Sequence, residues 1–501
     1  MKKVFAWIAK HEFLFGVMIF TAILRVPSLF EPNWYGDEGI YLVMGQAIRR
    51  GLIWYRDIHD NKPPLLYLLA TITGSVAYFR ALLLVWMMPT LVVFDNLGKS
   101  LGLTTKARRL ALVMFAVLTS IPMLEGNISN AEIFMILPTI LGMLLIIKDK
   151  ELGIKKRKTS GWSYLLAGVC FGLAFLFKVP AVFEFFGVIF FYYILAKKNI
   201  KSILGGVIDK RLWLLTIGFA LPVGLTALYY FANGALKDYL TAAFAQNFGY
   251  LASYRTGQMT SGLGNQSGLV GRGLILMLAV GSFWTFNRKE SKSYQLVWIW
   301  FVFALFATLL SERPYPHYLI QLVASGCLLL VMTNFGKLRE WLWTSVAILL
   351  LLLSVYRFKF YFYPTVSYYN NFVNFISQNI SEESYNDYFD KKVNRTTKLA
   401  MYLRKMTTTN EKIFVWADEP FIYAETKRLP VGKYMVAYHV ADFGGMELVY
   451  QRLLSESPRF IVVSDSKNVD YPQLKTLLAT NYALAYRDND IRVYFKLIAK
   501  P

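Results

Sequence analysis

Two short polar segments in the first part of the chain carry residue types that can perform a group transfer. The segment YGDEGIY contains Asp37 and Glu38, and the segment YRDIHDNKPPLLY contains Lys62 directly before two prolines. Proline fixes its own φ and so restrains the direction of the neighbouring side chains. A carboxylate can take the proton of an attacking hydroxyl, and a lysine can neutralise a departing phosphate. These residues predict a transfer reaction with an anionic leaving group, although an acidic pair in a loop is more often simply solvated.

Three further segments add charges of the same kinds. NISNAEIF supplies Glu132, LAFLFKVP supplies Lys178, and SERPYPHYLI supplies Arg313, Tyr315 and His317. Each has an ordinary structural explanation. A carboxylate is favoured at a helix N-terminus, and a lysine at the membrane interface commonly extends its ammonium into water. Taken together, they place carboxylates and cations at one face of a membrane. A single displacement there would invert the anomeric carbon of a sugar, by analogy with inverting glycosidases.

The elements that must position these residues are membrane helices. The chain of 501 residues is 55% hydrophobic and only 17% charged, whereas a soluble chain would be about a quarter charged. A span needs roughly 20 mostly apolar residues, and this chain has about eleven such runs. They lie near residues 12–30, 76–98, 108–123, 130–147, 161–177, 181–196, 212–231, 269–286, 295–311, 317–335 and 341–358. A shorter apolar stretch at 64–75 is expected to re-enter or to lie along the interface.

Lysine and arginine set the orientation of the chain, because they concentrate in cytoplasmic loops. Basic clusters lie at 2–10, 99–109, 148–158, 197–211, 288–292 and 337–339, and the alternate loops are much poorer in them. The net charge of +22 therefore belongs to the loops of a membrane protein and does not imply a nucleic-acid partner. We expect a multi-pass protein of the plasma membrane with a cytoplasmic N-terminus and an outer face that carries the segments above.

The end of the chain has a different character, since its acids and bases nearly balance. Short β-type runs appear at 413–416 and 459–463, and YALAYR and IRVYFK flank the turn DND at 488–490, which predicts a hairpin. A helix is expected around 398–405. The predicted fold is thus an all-α polytopic membrane domain over 1–360, followed by an extracytoplasmic α/β domain over 361–501.

The ordered motifs of the membrane part resemble those of the GT-C glycosyltransferases that depend on polyprenyl phosphate. Among the members of this group, the sequence is similar to the bacterial lipid A aminoarabinose transferases and the protein O-mannosyltransferases. The residues that carry the resemblance are Arg25-x-Pro27, Asp37-Glu38, Tyr41, Asn61-Lys62-Pro63-Pro64-Leu65, Glu132, Lys178 and Pro316-His317-Tyr318. An acidic pair in a first outer loop is weak evidence alone, but together with KPP and PHY it is fairly specific.

The resemblance implies a role for each of these positions. Asp37 would be the catalytic acid/base, and Glu38 would support it. Lys62 would contact the lipid-linked phosphate, Glu132 would be the second acidic position, and His317 would lie near the donor head group. Among the cations of the outer loops, Arg313 is expected to join Lys62 and His317 in binding the phosphate, and the residues Lys178, Tyr55 and Tyr315 are expected to support them.

Metal dependence is left open by one departure from the family pattern. Some relatives have Glu or His directly before Lys-Pro-Pro, where a metal has been placed, but Asn61 stands there in this chain. His59 and Asp60 are close in sequence, so a divalent metal is neither predicted nor excluded.

A transporter or flippase of lipid-linked saccharides is the alternative to the enzyme. Its main support is Glu184, which lies inside a predicted span, but Lys178 nearby could simply pair with it. Transporters usually place their polar sites near the bilayer midplane, whereas the polar residues here gather at the outer mouth. The expected partners are the bilayer, a polyprenyl-phosphate sugar and an acceptor lipid, polysaccharide or protein hydroxyl.

Overall fold

The computed structural model describes residues 11–149, 154, 160–192, 210–247, 267–287, 289–464 and 470–497. Several basic positions that set the predicted orientation lie outside these residues, namely 2, 3, 10, 150, 155–158, 197, 198, 201 and 288. The chain divides into two compact units. The first unit combines Met1–Ser28, Arg80–Tyr229 and Asn247–Tyr368, and the second combines Leu29–Phe79, Tyr230–Gln246 and Tyr369–Pro501.

Apolar helices lie on each of the predicted spans. They are α1 Glu12–Arg25, α4 Val76–Ser100, α5 Thr105–Leu118, α6 Ala131–Ile147, α7 Gly161–Phe177, α8 Val182–Phe190, α9 Lys210–Ala232, α11 Ser267–Phe286, α12 Lys292–Thr308, α13 Ile320–Met332 and α14 Leu338–Phe358. By length and composition, five helices of the described residues are long and apolar enough to cross a membrane, and others are shorter apolar helices. A polytopic helical membrane fold is therefore confirmed, while the number of spans stays a prediction.

Within the first unit, two helices approach each other closely through glycines. A side chain at Gly168 on α7 would overlap the carbonyl oxygen of Leu215, and one at Gly218 on α9 would overlap that of Leu165. Small residues at helix contacts allow the backbones of membrane helices to pack tightly, because lipid tails provide little hydrophobic drive for association. The two glycines thus fix where α7 and α9 meet.

In the second unit, the expected first outer loop contains two helices, α2 at Gly36–Arg49 and α3 at Leu65–Thr73. Gly45 permits their contact, because a Cβ there would lie 2.8 Å from the backbone nitrogen of Thr71. The helix α3 covers most of the short apolar stretch predicted at 64–75. The acidic pair Asp37 and Glu38 lies in the first turn of α2, where the helix dipole favours negative charge.

The rest of the second unit is an α/β structure. Its helices are α15 Thr365–Ile376 (which begins in the first unit), α16 Glu382–Asp387, α17 Val393–Met406, α18 Phe421–Thr426, α19 Ala437–Asp442, α20 Met446–Glu456 and α21 Pro472–Asn481, and the short α10 Leu236–Leu240 also belongs to this unit. The strands are β1 Phe414–Trp416, β2 Phe460–Ser464, β3 Tyr482–Asp488 and β4 Ile491–Lys496. They form one sheet in the order β1-β2-β4-β3.

The pairing within this sheet agrees with the sequence. β1 and β2 are parallel, and β4 is antiparallel to both β2 and β3. The predicted hairpin is confirmed, with Asn489 at a φ of +49° in its turn. Val449, Leu453 and Leu474 pack in one buried core with Trp416 and Ile461. The predicted boundary between residues 360 and 361 stays a prediction, and the contacts also assign 29–79 and 230–246 to the second unit.

Candidate active site

Asp37 and Lys62 form an ion pair in the second unit. The Lys62 Nζ lies 3.2 Å from Asp37 Oδ2, and the two side chains are 26% and 32% exposed. Tyr41, one turn further along α2, donates a hydrogen bond of 3.0 Å to the same carboxylate oxygen. The Lys62 ammonium also lies 5.0 Å from the centre of the Tyr41 ring. The structure thus brings together the predicted base and the predicted phosphate ligand.

Glu38 differs from Asp37 in its surroundings. Both are in the first turn of α2, but the Glu38 side chain is fully buried. A substrate hydroxyl approaching from solvent can therefore reach Asp37, whereas it cannot reach Glu38 without a rearrangement. This difference agrees with a base at Asp37 and a supporting role for Glu38.

The backbone of Lys62 is held by two buried tyrosines. Tyr67 on α3 accepts a hydrogen bond of 2.9 Å from the Lys62 backbone nitrogen, and Tyr55 donates one of 2.8 Å to the Lys62 carbonyl oxygen. Tyr55 itself has a φ of +71° and packs against Tyr230 and Tyr239, with ring centres 5.3 and 5.5 Å away. Since a positive φ is unfavourable for tyrosine, tight packing must hold it in place. Tyr55 therefore supports the base of the Lys62 side chain.

Asp60 provides a second carboxylate beside Lys62. It is fully buried, and its Oδ2 accepts a hydrogen bond of 2.7 Å from the Tyr67 hydroxyl. The same oxygen lies 3.9 Å from Lys62 Nζ. The ammonium is thus placed between Asp37 and Asp60.

Burial keeps the tyrosine hydroxyls of this site protonated. Burial, followed by the negative charges of Asp37 and Asp60, raises the pKa of Tyr41 well above its usual value. Burial and then the charge of Asp60 raise the pKa of Tyr67 in the same direction. Both hydroxyls therefore remain hydrogen-bond donors to the carboxylates at all ordinary pH values.

Sequence reasoning missed His439, which α19 brings to this cluster. Its Nε2 lies 3.7 Å from Asp60 Oδ1, and its ring centre is 5.5 Å from that of His59. Burial is the largest cause that lowers the pKa of His439, to about 4, and it also lowers that of His59 well below the usual value. Both imidazoles are therefore neutral at pH 7. No motif connects two histidines so far apart in the sequence, although the chain has only four.

The donor set does not fit a divalent metal at the Lys-Pro-Pro segment. Within the part of the chain that the structure describes, no group of three His, Cys, Asp or Glu side chains is placed to hold a metal ion. The Asp60 Oδ2 is directed at Tyr67 and Lys62. The cation beside the two carboxylates here is an ammonium.

Four other titratable residues meet in the first unit. Glu132 lies in the first turn of α6, Lys178 is the C-cap of α7, and His317 precedes α13. Lys178 forms an ion pair with Glu132. The His317 Nδ1 lies 2.5 Å from Glu125 Oε2, and its Nε2 lies 3.5 Å from Glu132 Oε1. Three predicted residues are thus brought together, and Glu125, which the sequence analysis missed, completes the cluster.

Aromatic rings and Arg313 flank this cluster. Tyr315 stacks on His317 with ring centres 5.7 Å apart, and the Lys178 ammonium lies 3.8 Å from the centre of the Tyr318 ring. Arg313 lies on the half-buried connection between α12 and His317. Burial, and then the charge of Glu125, raises the pKa of Tyr363 to about 12.

Glu184 is separate from these charges. It lies on α8 and accepts hydrogen bonds from the Trp300 indole, at 2.5 Å, and from the Gln321 amide, at 3.0 Å. Lys178, its expected partner, is paired with Glu132. A carboxylate bound by two neutral donors on neighbouring helices satisfies its own hydrogen bonding within the helix packing.

Comparison with known proteins bears on the fold. The crystal structures of ArnT from Cupriavidus metallidurans, bound to undecaprenyl phosphate and in the apo state, match with TM-scores of 0.56 and 0.52. Each match has 12% identity and covers 97% of this chain and 98% of the other. The arabinofuranosyltransferase AftD from Mycobacteria matches with a TM-score of 0.43 and 12% identity, over 99% of this chain and 40% of its own.

The sequence comparisons concern a smaller part of the chain. Residues 393–496 match a family model described as "Putative competence-induced protein Ccs4 C-terminal domain". The search of curated proteins finds no match. The likeness to ArnT extends over nearly the whole chain, and it confirms the predicted GT-C fold with its helical membrane part and its small C-terminal sheet.

Proposed function

We propose that this GT-C membrane protein is a glycosyltransferase that moves a sugar from a polyprenyl-phosphate donor to an acceptor hydroxyl at the outer face of the membrane. The observation that best supports the proposal is the contact of 3.2 Å between Lys62 Nζ and Asp37 Oδ2. It pairs a reachable carboxylate with a cation, the two groups that a base and a phosphate ligand require.

The transfer is a single displacement. Asp37 takes the proton of the acceptor hydroxyl while the hydroxyl oxygen attacks the anomeric carbon of the sugar. The bond between that carbon and the phosphate oxygen breaks, and the polyprenyl phosphate leaves as an anion that the Lys62 ammonium stabilises. Because attack and departure take place on opposite faces of the carbon, the anomeric configuration inverts.

The identity of the donor lipid is supported by the likeness to a fold that has been crystallised with undecaprenyl phosphate. We infer a polyprenyl-phosphate carrier for this chain too, with a hexose or a pentose as the sugar. The acceptor is a hydroxyl of a lipid, a polysaccharide or a protein. Arg313 and His317 are proposed as further donor contacts, and His317 would then have to release one of the two carboxylates that it faces.

A transporter of lipid-linked saccharides is the second candidate, and Glu184 is the observation that favours it. A carboxylate inside an apolar helix is a functional candidate by default. Both of its oxygens are occupied by Trp300 and Gln321, however, which suits a fixed packing role better than a moving substrate. The transferase is therefore the preferred proposal.

The test is the variant Asp37→Asn, which keeps the size of the side chain and removes its basicity. Transfer from a polyprenyl-phosphate sugar by the purified protein should fall roughly 100- to 10,000-fold, while binding of undecaprenyl phosphate is kept. Glu38→Gln should be milder, since Glu38 is buried. Asp57→Asn is the matched control, because Asp57 is an acid of the same segment that pairs with Arg56. Undiminished turnover in Asp37→Asn would exclude Asp37 as the base.

A further inference from the structure

One oxygen of the buried Asp60 carboxylate is left without a hydrogen bond. Asp60 Oδ2 accepts from Tyr67, but Oδ1 has no hydrogen-bond partner among the described residues, although it is shielded from solvent. A buried polar atom without a partner is costly, and such atoms are rare in folded proteins. Asp60 is also a direct neighbour of the Lys62 ammonium. Its position and charge therefore matter to the proposed donor site.

His439 is the group that faces this oxygen. Its Nε2 is 3.7 Å from Asp60 Oδ1, and the residue is only 2% exposed. The ring is confined by Tyr438, Phe443 and His59, with ring centres 4.4, 5.4 and 5.5 Å away. The tautomer with its proton on Nε2 directs an N–H group at the carboxylate, and a small movement closes the hydrogen bond.

The charge state of His439 suits such a contact. Burial has the largest effect on the pKa of His439, which it lowers, so the ring is neutral. The charge of Asp60 raises this pKa, that of Lys62 lowers it, and that of Asp37 raises it. A protonated His439 would compete with Lys62 for Asp60. A neutral one supports the carboxylate and leaves its negative charge to the ammonium.

We propose that His439 is a positioning residue of the transfer site, which holds Asp60 so that Asp60 can hold Lys62. The inference rests on the proposed function. Lys62 is paired with Asp37 at 3.2 Å, so the proposed phosphate ligand and the proposed base engage each other before the donor binds. During transfer the ammonium must leave Asp37 for the donor phosphate, and Asp60, 3.9 Å away, keeps it in the site meanwhile. The C-terminal segment is then part of the active site.

His59 offers a matched control for this role. It is as buried as His439 and packs against Tyr434 and Phe443, with ring centres 5.0 and 4.9 Å away. No ion pair or hydrogen bond connects its ring to Asp60 in the described part of the chain. Replacement of either imidazole by phenyl removes a buried polar ring, but only one replacement removes the group that faces Asp60.

The experiment uses the full-length protein in nanodiscs and undecaprenyl phosphate as the probe. We expect His439→Phe to weaken binding about tenfold, the typical effect of a lost hydrogen bond to a charged group, and His59→Phe to change it less than about twofold. His439→Gln, which keeps an N–H donor, should restore most of the affinity. In the Asp60→Asn background, His439→Phe should have no further effect, since its action passes through Asp60.

Two outcomes would overturn the inference. In the first, His439→Phe binds undecaprenyl phosphate as tightly as the wild type does. In the second, His439→Phe weakens binding as much in the Asp60→Asn background as in the wild type. If His439→Phe does not fold, His439→Gln and His439→Met give the same comparison, with and without an N–H group. The proposed function fails separately. In that case the wild-type protein does not bind undecaprenyl phosphate, or Asp37→Asn retains turnover, whatever the His439 variants do.

Discussion

The Lys62 ammonium lies 3.2 Å from the Asp37 carboxylate, close enough for the two groups to form an ion pair. The ion pair engages Asp37 Oδ2 and so competes with the proton of an acceptor hydroxyl for that oxygen. A donor phosphate that draws Lys62 away removes this effect and leaves Asp37 free to accept a proton. The geometry therefore favours an order in which the donor binds before the acceptor is deprotonated.

Lys62→Ala should weaken the binding of undecaprenyl phosphate by about tenfold to a hundredfold, because the cation that pairs with the phosphate is lost. Lys62→Arg should rescue it partly, since the charge is kept while the shape differs. The measurement is a binding titration of the purified variants. Lys412→Ala is the control, because Lys412 is a lysine of the same unit that pairs with Glu456. Unchanged affinity in Lys62→Ala would remove Lys62 from the donor site.

The pair of Glu132 and Lys178 gives a prediction on stability. Glu132 is almost fully buried, so Lys178→Met leaves its charge without its lysine partner, and removal of one partner of a buried pair typically costs about 3–5 kcal/mol. The double variant Glu132→Gln with Lys178→Met should lower the free energy of unfolding less than Lys178→Met alone, because the double variant removes both charges of the pair. Thermal unfolding in detergent measures both.

An exposed ion pair is the control for that experiment. Arg459 and Glu411 lie 4.0 Å apart, with side chains 43% and 34% exposed, and their removal should change stability by less than about 1 kcal/mol. A Lys178→Met protein as stable as the wild type would show that the buried cluster tolerates the Glu132 carboxylate without its lysine partner. The charges would then have to be explained by ligand binding.

The helices and strands were predictable because their patterns are local. Long apolar runs predicted the membrane helices, and the DND turn between two β-type runs predicted the hairpin of β3 and β4. The proximity of Asp37 and Lys62 was foreseeable too, since both lie between the first two predicted spans.

The helix α2 was not foreseen, because Gly36, Gly39 and Gly45 give its sequence the appearance of a loop. Two of these glycines serve packing. A Cβ at Gly39 would lie 3.0 Å from the side chain of Pro420, and Gly45 faces the backbone of α3. His439 was not predictable either, because tertiary folding alone brings it beside Asp60.

Removal of metal ions tests whether transfer requires a divalent metal ion. We expect a chelator to leave transfer unchanged within about twofold, because Lys62 supplies the positive charge that neutralises the leaving phosphate. The assay compares turnover before and after EDTA dialysis, followed by the addition of Mg²⁺, Mn²⁺ or Zn²⁺. Loss of activity that one of these ions restores would show that a divalent cation takes part in the transfer.

The orientation of the chain is tested by single cysteines in a background that lacks Cys170 and Cys327. The bias of lysine and arginine predicts that the C-terminal domain lies outside, so a cysteine at the exposed position of Lys398 should react with a membrane-impermeant maleimide on intact cells. A cysteine at Lys337, which is 53% exposed, should react only after the cells are opened. A tag after Pro501 should likewise be accessible from outside. An even number of predicted spans separates Asp37 and Lys62 from the C-terminal domain, so they are expected on the same side of the membrane as that domain. The reverse labelling pattern would therefore place Asp37 and Lys62 on the cytoplasmic face. The proposed donor would then have to be used there.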